Sequence, residues 1–151
     1  MNFTFIARPA LTFALALAAT SAIASEWAGT MSCGELQNAP NAKSKDPFRG
    51  NVTLRIIGQH AVLERPWRTG TESLEGDVSK GRPLQLAGLG YFFNNKDGAW
   101  KTRATLTQRG QQYDGVAVLE SPDGSRKFRD CTITLTTVSY THLTLPTKRI
   151  V

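Results

Sequence analysis

The sequence predicts an all-β domain and, within that class, an eight-stranded antiparallel up-and-down barrel, with a two-sheet β-sandwich as the alternative. Three observations carry this expectation. Helical periodicity is nearly absent, while apolar and polar residues alternate with a period of two between turn signals from residue 26 to residue 137. Connections after the first strand are short, which argues that neighbours in sequence pair in space. The two cysteines, Cys33 and Cys131, fall on the first and last strands, 98 residues apart. A cross-link between them needs the Cα atoms within about 4–7 Å. A meander whose first and last strands touch is a closed ring, and closure leaves no exposed strand edge.

The elements follow in order. Glu26 to Leu36 is the first strand, with Trp27, Gly29, Met31 and Cys33 on one face. Gln37 to Pro47 (QNAPNAKSKDP) is a polar loop of eleven residues, long for a plain hairpin. Phe48 to Ile57 alternates Val52, Leu54 and Ile56 against Thr53 and Arg55, and Gly58-Gln59 turns it back into His60 to Trp67. Arg68 to Gly70 turns again into Thr71 to Val78, which carries Leu74, Gly76 and Val78. Ser79 to Gly81 leads into Arg82 to Tyr91, whose Leu84, Leu86, Gly88 and Gly90 face together. Asn94-Asn95-Lys96-Asp97-Gly98 is a strong turn signal. Ala99 to Thr107, Gln112 to Glu120 and Ser125 to Thr137 complete the set, joined through Gly110 and Pro122-Asp123-Gly124. In the last strand Cys131 shares a face with Ile133 and Leu135, so the disulfide is expected inside the wall.

A bulky-x-Gly unit recurs at Trp27/Gly29, Phe48/Gly50, Leu74/Gly76, Leu86/Gly88 and Tyr113/Gly115. Each sets a large side chain beside bare backbone on one strand face. Glycine in a strand marks a bend or a close approach, and a small barrel needs such points to coil shut. Two outcomes are open: large side chains fill the space over these glycines, or the glycines open an interior cavity.

Both ends of the chain are read as separate from the domain. Met1 to Ala24 has a positive Arg8, an apolar run from Leu11 to Ala19 and a small-x-small site at Ala22-Ile23-Ala24, the three parts of a signal peptide. The run is short of the about 20 residues needed to span a bilayer. We therefore expect an exported bacterial protein, periplasmic or secreted, with no membrane span after cleavage. Val138 to Val151 (VSYTHLTLPTKRIV) breaks the alternation and resembles a translated transposon-end sequencing adapter. The expected domain is thus residues 25–137, with 138–151 foreign to it.

The whole chain holds 18 Lys+Arg against 12 Asp+Glu, a net charge of +6. Setting aside Arg8, Lys148 and Arg149 leaves 15 against 12, or +3 over 113 residues. Arg49, Arg55, Arg65, Arg82, Arg103 and Arg109 are scattered singly, whereas nucleic-acid readers cluster basic residues on one face with stacking aromatics. No nucleic-acid partner is expected. The run Arg126-Lys127-Phe128-Arg129, flanked by Asp123 and Asp130, reads as a solvated strand face.

Chemistry is sparse. Two cysteines in an oxidising compartment default to one disulfide. A metal site needs more ligands than the lone His60 offers, so no metal and no cofactor is expected. His60 sits beside a tight turn and reads as solvent-facing, with no nucleophile or orienting group near it in sequence. Glu72 and Glu75 lie on opposite strand faces, and each reads as a surface charge. Gly88-Leu89-Gly90 is a lone GxG with no following helix, and Asn51-Val52-Thr53 is a chance sequon. No catalytic residue is assigned. Two aromatic groups at strand ends stand out: Tyr91-Phe92-Phe93, and Trp67 within Arg65-Pro66-Trp67-Arg68. Aromatics and arginines at loop edges favour binding patches, so Arg65, Trp67, Arg68, Tyr91, Phe92 and Phe93 are the candidate ligand- or partner-binding residues. The competing reading is that the aromatics plug the barrel ends.

Trp27-x-Gly29-x-x-x-Cys33 and Arg129-x-Cys131-x-Ile133-x-Leu135 resemble the borders of small exported bacterial β-barrel domains. The architecture is similar to the lipocalin and avidin class of eight-stranded binding barrels. It departs from lipocalins, which carry Gly-x-Trp on the first strand where this chain has Trp27 before Gly29, and it lacks the tryptophan set of avidins. What the resemblance implies is a barrel able to hold one small ligand. The expected function is a non-catalytic, monomeric binding module for a small apolar or amphipathic molecule or a protein surface. An inhibitor of an envelope or host enzyme, contacting its target through Gln37 to Pro47 and Tyr91 to Asp97, is the alternative, and an enzyme is the third.

Overall fold

Antiparallel pairing runs unbroken around the molecule in this computed structural model, which describes residues 24–38 and 45–138, without the side chains of 96 and 97. The expected leader and tail lie outside the described residues except at their borders, Ala24 and Val138, as does the stretch 39–44 of the first loop. The strands are β1 (Ala24–Cys33), β2 (Phe48–Ile57), β3 (His60–Trp67), β4 (Gly70–Asp77), β5 (Leu84–Phe92), β6 (Asn95–Arg109), β7 (Gln112–Glu120) and β8 (Lys127–Thr137). Each pairs with the next and β8 pairs with β1, so the eight form one closed up-and-down barrel, and the sandwich alternative is excluded. No helix is present among the described residues.

The seam between β1 and β8 runs in register from Trp27↔Thr137 to Cys33↔Cys131. The two cysteines are directly opposed, with Cα atoms 4.0 Å apart, and are joined by a buried disulfide. Alternation of period two becomes inside against outside. Met31, Leu54, Leu63, Leu74, Leu106, Ile133 and Leu135 fill the interior with 0–1% of their surface exposed. Outside, Arg55 bridges Glu26 and Glu64 across three strands at 3.1 and 3.0 Å, the kind of exposed pairing that adds little stability.

The repeated glycines are close approaches, not openings. A Cβ on Gly29, Gly76, Gly88 or Gly115 would lie 1.9, 2.0, 1.8 or 2.1 Å from a carbonyl oxygen of the neighbouring strand. Gly50 is instead covered by the Arg65 side chain. The wall therefore coils tightly at these points, and the idea that they hollow the interior is overturned.

Three strands, β2, β3 and β7, keep the bounds the alternation predicts. The other five differ by one to four residues at one or both bounds, most at the start of β6 and the end of β1. The β5–β6 turn is Phe93-Asn94, and the Asn95–Gly98 part of the expected turn belongs to β6, where the Gly98 N–H donates to Asn95 Oδ1 at 3.1 Å. β1 stops at Cys33, and the chain continues as a strap beside β8: the Gly34 N–H donates to the Asp130 carbonyl and the Gln37 N–H to that of Phe128, at 2.9 and 2.8 Å. Register shifts occur between Gly90 and Phe92 on β5, and opposite Leu119 and Glu120, where Phe128 is the extra residue of β8.

Candidate functional site

Odd-numbered strands stop and even-numbered strands start at one end of the barrel, here called the mouth. A cavity of about 660 Å³ opens there. Its wall is built from strand termini: Phe48 opens β2, Trp67 closes β3 and Phe92 closes β5. Trp100 of β6 and Leu119 of β7 continue it, and Leu36 on the strap covers one side. Bulges re-aim side chains, and the one in β8 lets two successive residues, Phe128 and Arg129, both border the cavity.

The aromatic side is ordered by two glycines outside the bulky-x-Gly set. The Trp67 and Trp100 rings stack at 5.8 Å and 25°, and Phe92 meets both edge-on at 5.9 and 5.6 Å. The indoles lie flat on bare backbone. A Cβ on Gly70 would sit 2.3 Å from Trp67 Cζ2, and one on Gly90 would sit 2.4 Å from Trp100 Cε2. Without a side chain at these two positions the stack can settle into the rim.

Charge enters through the same inward register. Arg65 and Glu72 are partners across β3 and β4, and the Arg65 Nε–H donates to Glu72 Oε2 at 2.7 Å. Glu72 is fully buried. Its other oxygen accepts from Trp100 Nε1 at 2.9 Å and from the Thr102 hydroxyl. The carboxylate thus ties β3, β4 and β6 together beneath the stacked indoles. The Arg65 guanidinium lies over Phe48 and Trp67, 4.6 Å from each ring centroid. Arg129 covers the same Phe48 ring at 5.2 Å, and its Nη1 donates to the Gly34 carbonyl and, at 2.8 Å, to that of Asp46. Burial pushes the Arg129 pKa down; the Asp46 carboxylate opposes this shift and the nearby Arg65 cation adds to it.

Two expectations are corrected here. Glu72 is an interior anion, not a surface charge, because it shares the inward face of β4 with Leu74. Arg129 leaves the solvated face expected of its run, because it is in phase with Cys131, Ile133 and Leu135; Arg126 and Lys127 stay exposed.

Of the candidate binding residues, Arg65, Trp67 and Phe92 come together in the cavity wall. Tyr91 and Phe93 point to the outer side, where their rings meet at 6.4 Å and Phe93 is 57% exposed. Arg68 is exposed in the β3–β4 turn, whose Thr69 carbonyl accepts the Phe93 N–H at 2.9 Å. The described ends of both expected contact loops lie at this same end, since Leu36 beside the first, and Phe92 within and Gly98 beside the second, border one cavity. Phe48, Trp100, Glu72 and Arg129, with the apolar wall residues Leu36, Leu119 and Phe128, are site residues that sequence reasoning misses.

His60 is remote, at the opposite barrel end, exposed and 3.7 Å from Asp77 and 3.9 Å from Glu75. Among the described residues no group of three or more His, Cys, Asp or Glu gathers as a metal site. No protein-family model and no curated protein matches the chain. Fold and site together define a closed antiparallel barrel with an aromatic, arginine-bearing mouth.

Proposed function

We propose that this barrel is an exported, non-catalytic binding module that takes one small apolar or amphipathic molecule at its mouth. The carrying observation is the cavity of about 660 Å³, walled by Phe48, Trp67, Phe92, Trp100, Leu119 and Phe128, above a closely packed interior. Its volume and largely apolar lining suit a drug-sized ligand. The disulfide is at home in an oxidising compartment, which supports the periplasmic or secreted location read from the leader.

Titration with N-phenyl-1-naphthylamine, a neutral apolar fluorophore, tests the reading. Saturable one-to-one binding with quenching of the mouth tryptophans is expected. Absence of saturable binding overturns it. A second reading, a protein-binding inhibitor, draws on the exposed Phe93 and Arg68 in the neighbouring β5–β6 and β3–β4 turns. It fits the opposite outcome, no fluorophore uptake together with loss of partner binding on replacing Phe93 and Arg68 by Ser.

A further inference from the structure

We infer that the molecule held at the mouth is a monoanionic amphiphile, an apolar body ending in a carboxylate that the Arg65 and Arg129 guanidiniums receive. The inference rests on the binding-module reading and adds the chemical class of ligand.

Among the described side chains, the two charged ones bordering the cavity are both arginines, and no carboxylate borders it. Glu72 lies behind Arg65, so it neutralises one of the two cations from the barrel interior. Asp46, at the exposed end of the first loop, accepts from Arg129 through its backbone carbonyl, and its carboxylate acts on Arg129 through its charge. One positive charge on the wall is therefore left without a hydrogen-bonded anion among the described residues. Donors are also available. A guanidinium has five N–H groups. Arg65 uses its Nε–H on Glu72, and Arg129 turns Nη1 to two backbone carbonyls. Among the described residues no other side-chain hydrogen bond from either is made, and both groups reach the cavity.

Position matters as much as charge. Both guanidiniums lie over the Phe48 ring, at 4.6 and 5.2 Å, which holds the planar forks still and strips part of their water. Exposures of 8% and 9% leave them in a medium where a charge-assisted hydrogen bond is strong. Beside them stand the Trp67–Trp100 stack and Phe92, whose rings offer apolar surface and whose Trp100 Nε1–H is already bonded to Glu72. Two guanidiniums set among otherwise apolar rings select a molecule with one anionic end. A neutral hydrocarbon would leave Arg129 buried beside it without a hydrogen-bonded anion among the described residues, and a cation would meet two guanidiniums.

Head-group isosteres on matched bodies provide the test: displacement of N-phenyl-1-naphthylamine by laurate, dodecanol and dodecylamine, and by 2-naphthoate and 2-naphthol. The expected result is that at least one acid displaces the fluorophore about tenfold or more better than its alcohol, equivalent to about 1.4 kcal/mol, with the amine weakest. Which pair shows the preference tells a chain-bodied ligand from a ring-bodied one. In the Arg129→Gln variant the acid should fall to the level of its alcohol while the alcohol is unchanged, whereas Arg129→Lys should keep part of the preference. Equal displacement by acids and alcohols overturns the anionic assignment while leaving the binding module standing. Failure of the fluorophore itself to bind overturns both. The head-group comparison is made on the unmodified protein, so it stays decisive if a variant does not fold.

Discussion

Glu72 bears more of the mouth's architecture than any other residue, because its two oxygens are shared by a guanidinium from β3 and an indole N–H and a hydroxyl from β6. All three partners donate. Glu72→Gln keeps the shape but turns an amide NH₂ toward donors and leaves Arg65 without its anion. Removing one member of a buried pair costs about 3–5 kcal/mol, while replacing both by apolar residues is often neutral. Urea unfolding should therefore show a loss of that size for Glu72→Gln, with most of it recovered in Arg65→Met/Glu72→Met. Equal losses in single and double variants would show that the pair is not the unit that matters. Glu72 was open to being found in the sequence: it stands two residues before Leu74 on an inward face, as Arg65 stands two after Leu63. Charge type outweighed phase in the reading, and phase was the better guide. What no single strand reveals is that these two residues are cross-strand partners, because register is set by the pairing of whole strands.

At the scale of elements, strands were legible wherever apolar alternation is regular and less so at the mouth. β2, β3 and β7 match residue for residue because Val52/Leu54, Ala61/Leu63 and Ala117/Leu119 alternate cleanly between turn residues. β6 was cut short because Asn95-Lys96-Asp97-Gly98 has turn composition yet pairs as strand, with the actual turn formed by Phe93-Asn94. The bulge at Phe128 was hidden for a related reason, since an extra residue shows only against its partner strand. Glycine placement in β5 offers a sharp check. A Cβ on Gly88 would lie 1.8 Å from the Ser73 carbonyl of β4, a backbone atom that cannot swing aside. Gly88→Ala should lower stability by about 1–3 kcal/mol, whereas Gly58→Ala, where a Cβ meets nothing within 4 Å, should cost only the strain of its φ of 63°. Comparable thermal midpoints for the two variants would argue against close strand approach at Gly88.

For the whole molecule, the disulfide constrains a loop of 98 residues, and the chain-entropy account assigns such a link about 4–5 kcal/mol. Reduction, or the Cys33→Ala/Cys131→Ala pair, should shift the urea midpoint down by a corresponding amount while the closed ladder persists at low urea. An unchanged midpoint would mean that the seam's stability is carried wholly by its hydrogen bonds and packing. The disulfide's position on the seam has a further consequence. The described chain ends meet at Trp27↔Thr137, and the covalent link lies at the other end of the same ladder, next to the strap and Arg129. Fraying that begins at the Trp27↔Thr137 end can unzip the seam like a hairpin losing its open side, one rung after another, and it halts at the cysteines. Everything beyond that stop, the strap and both arginines included, is mechanically insulated from opening that starts at the Trp27↔Thr137 end.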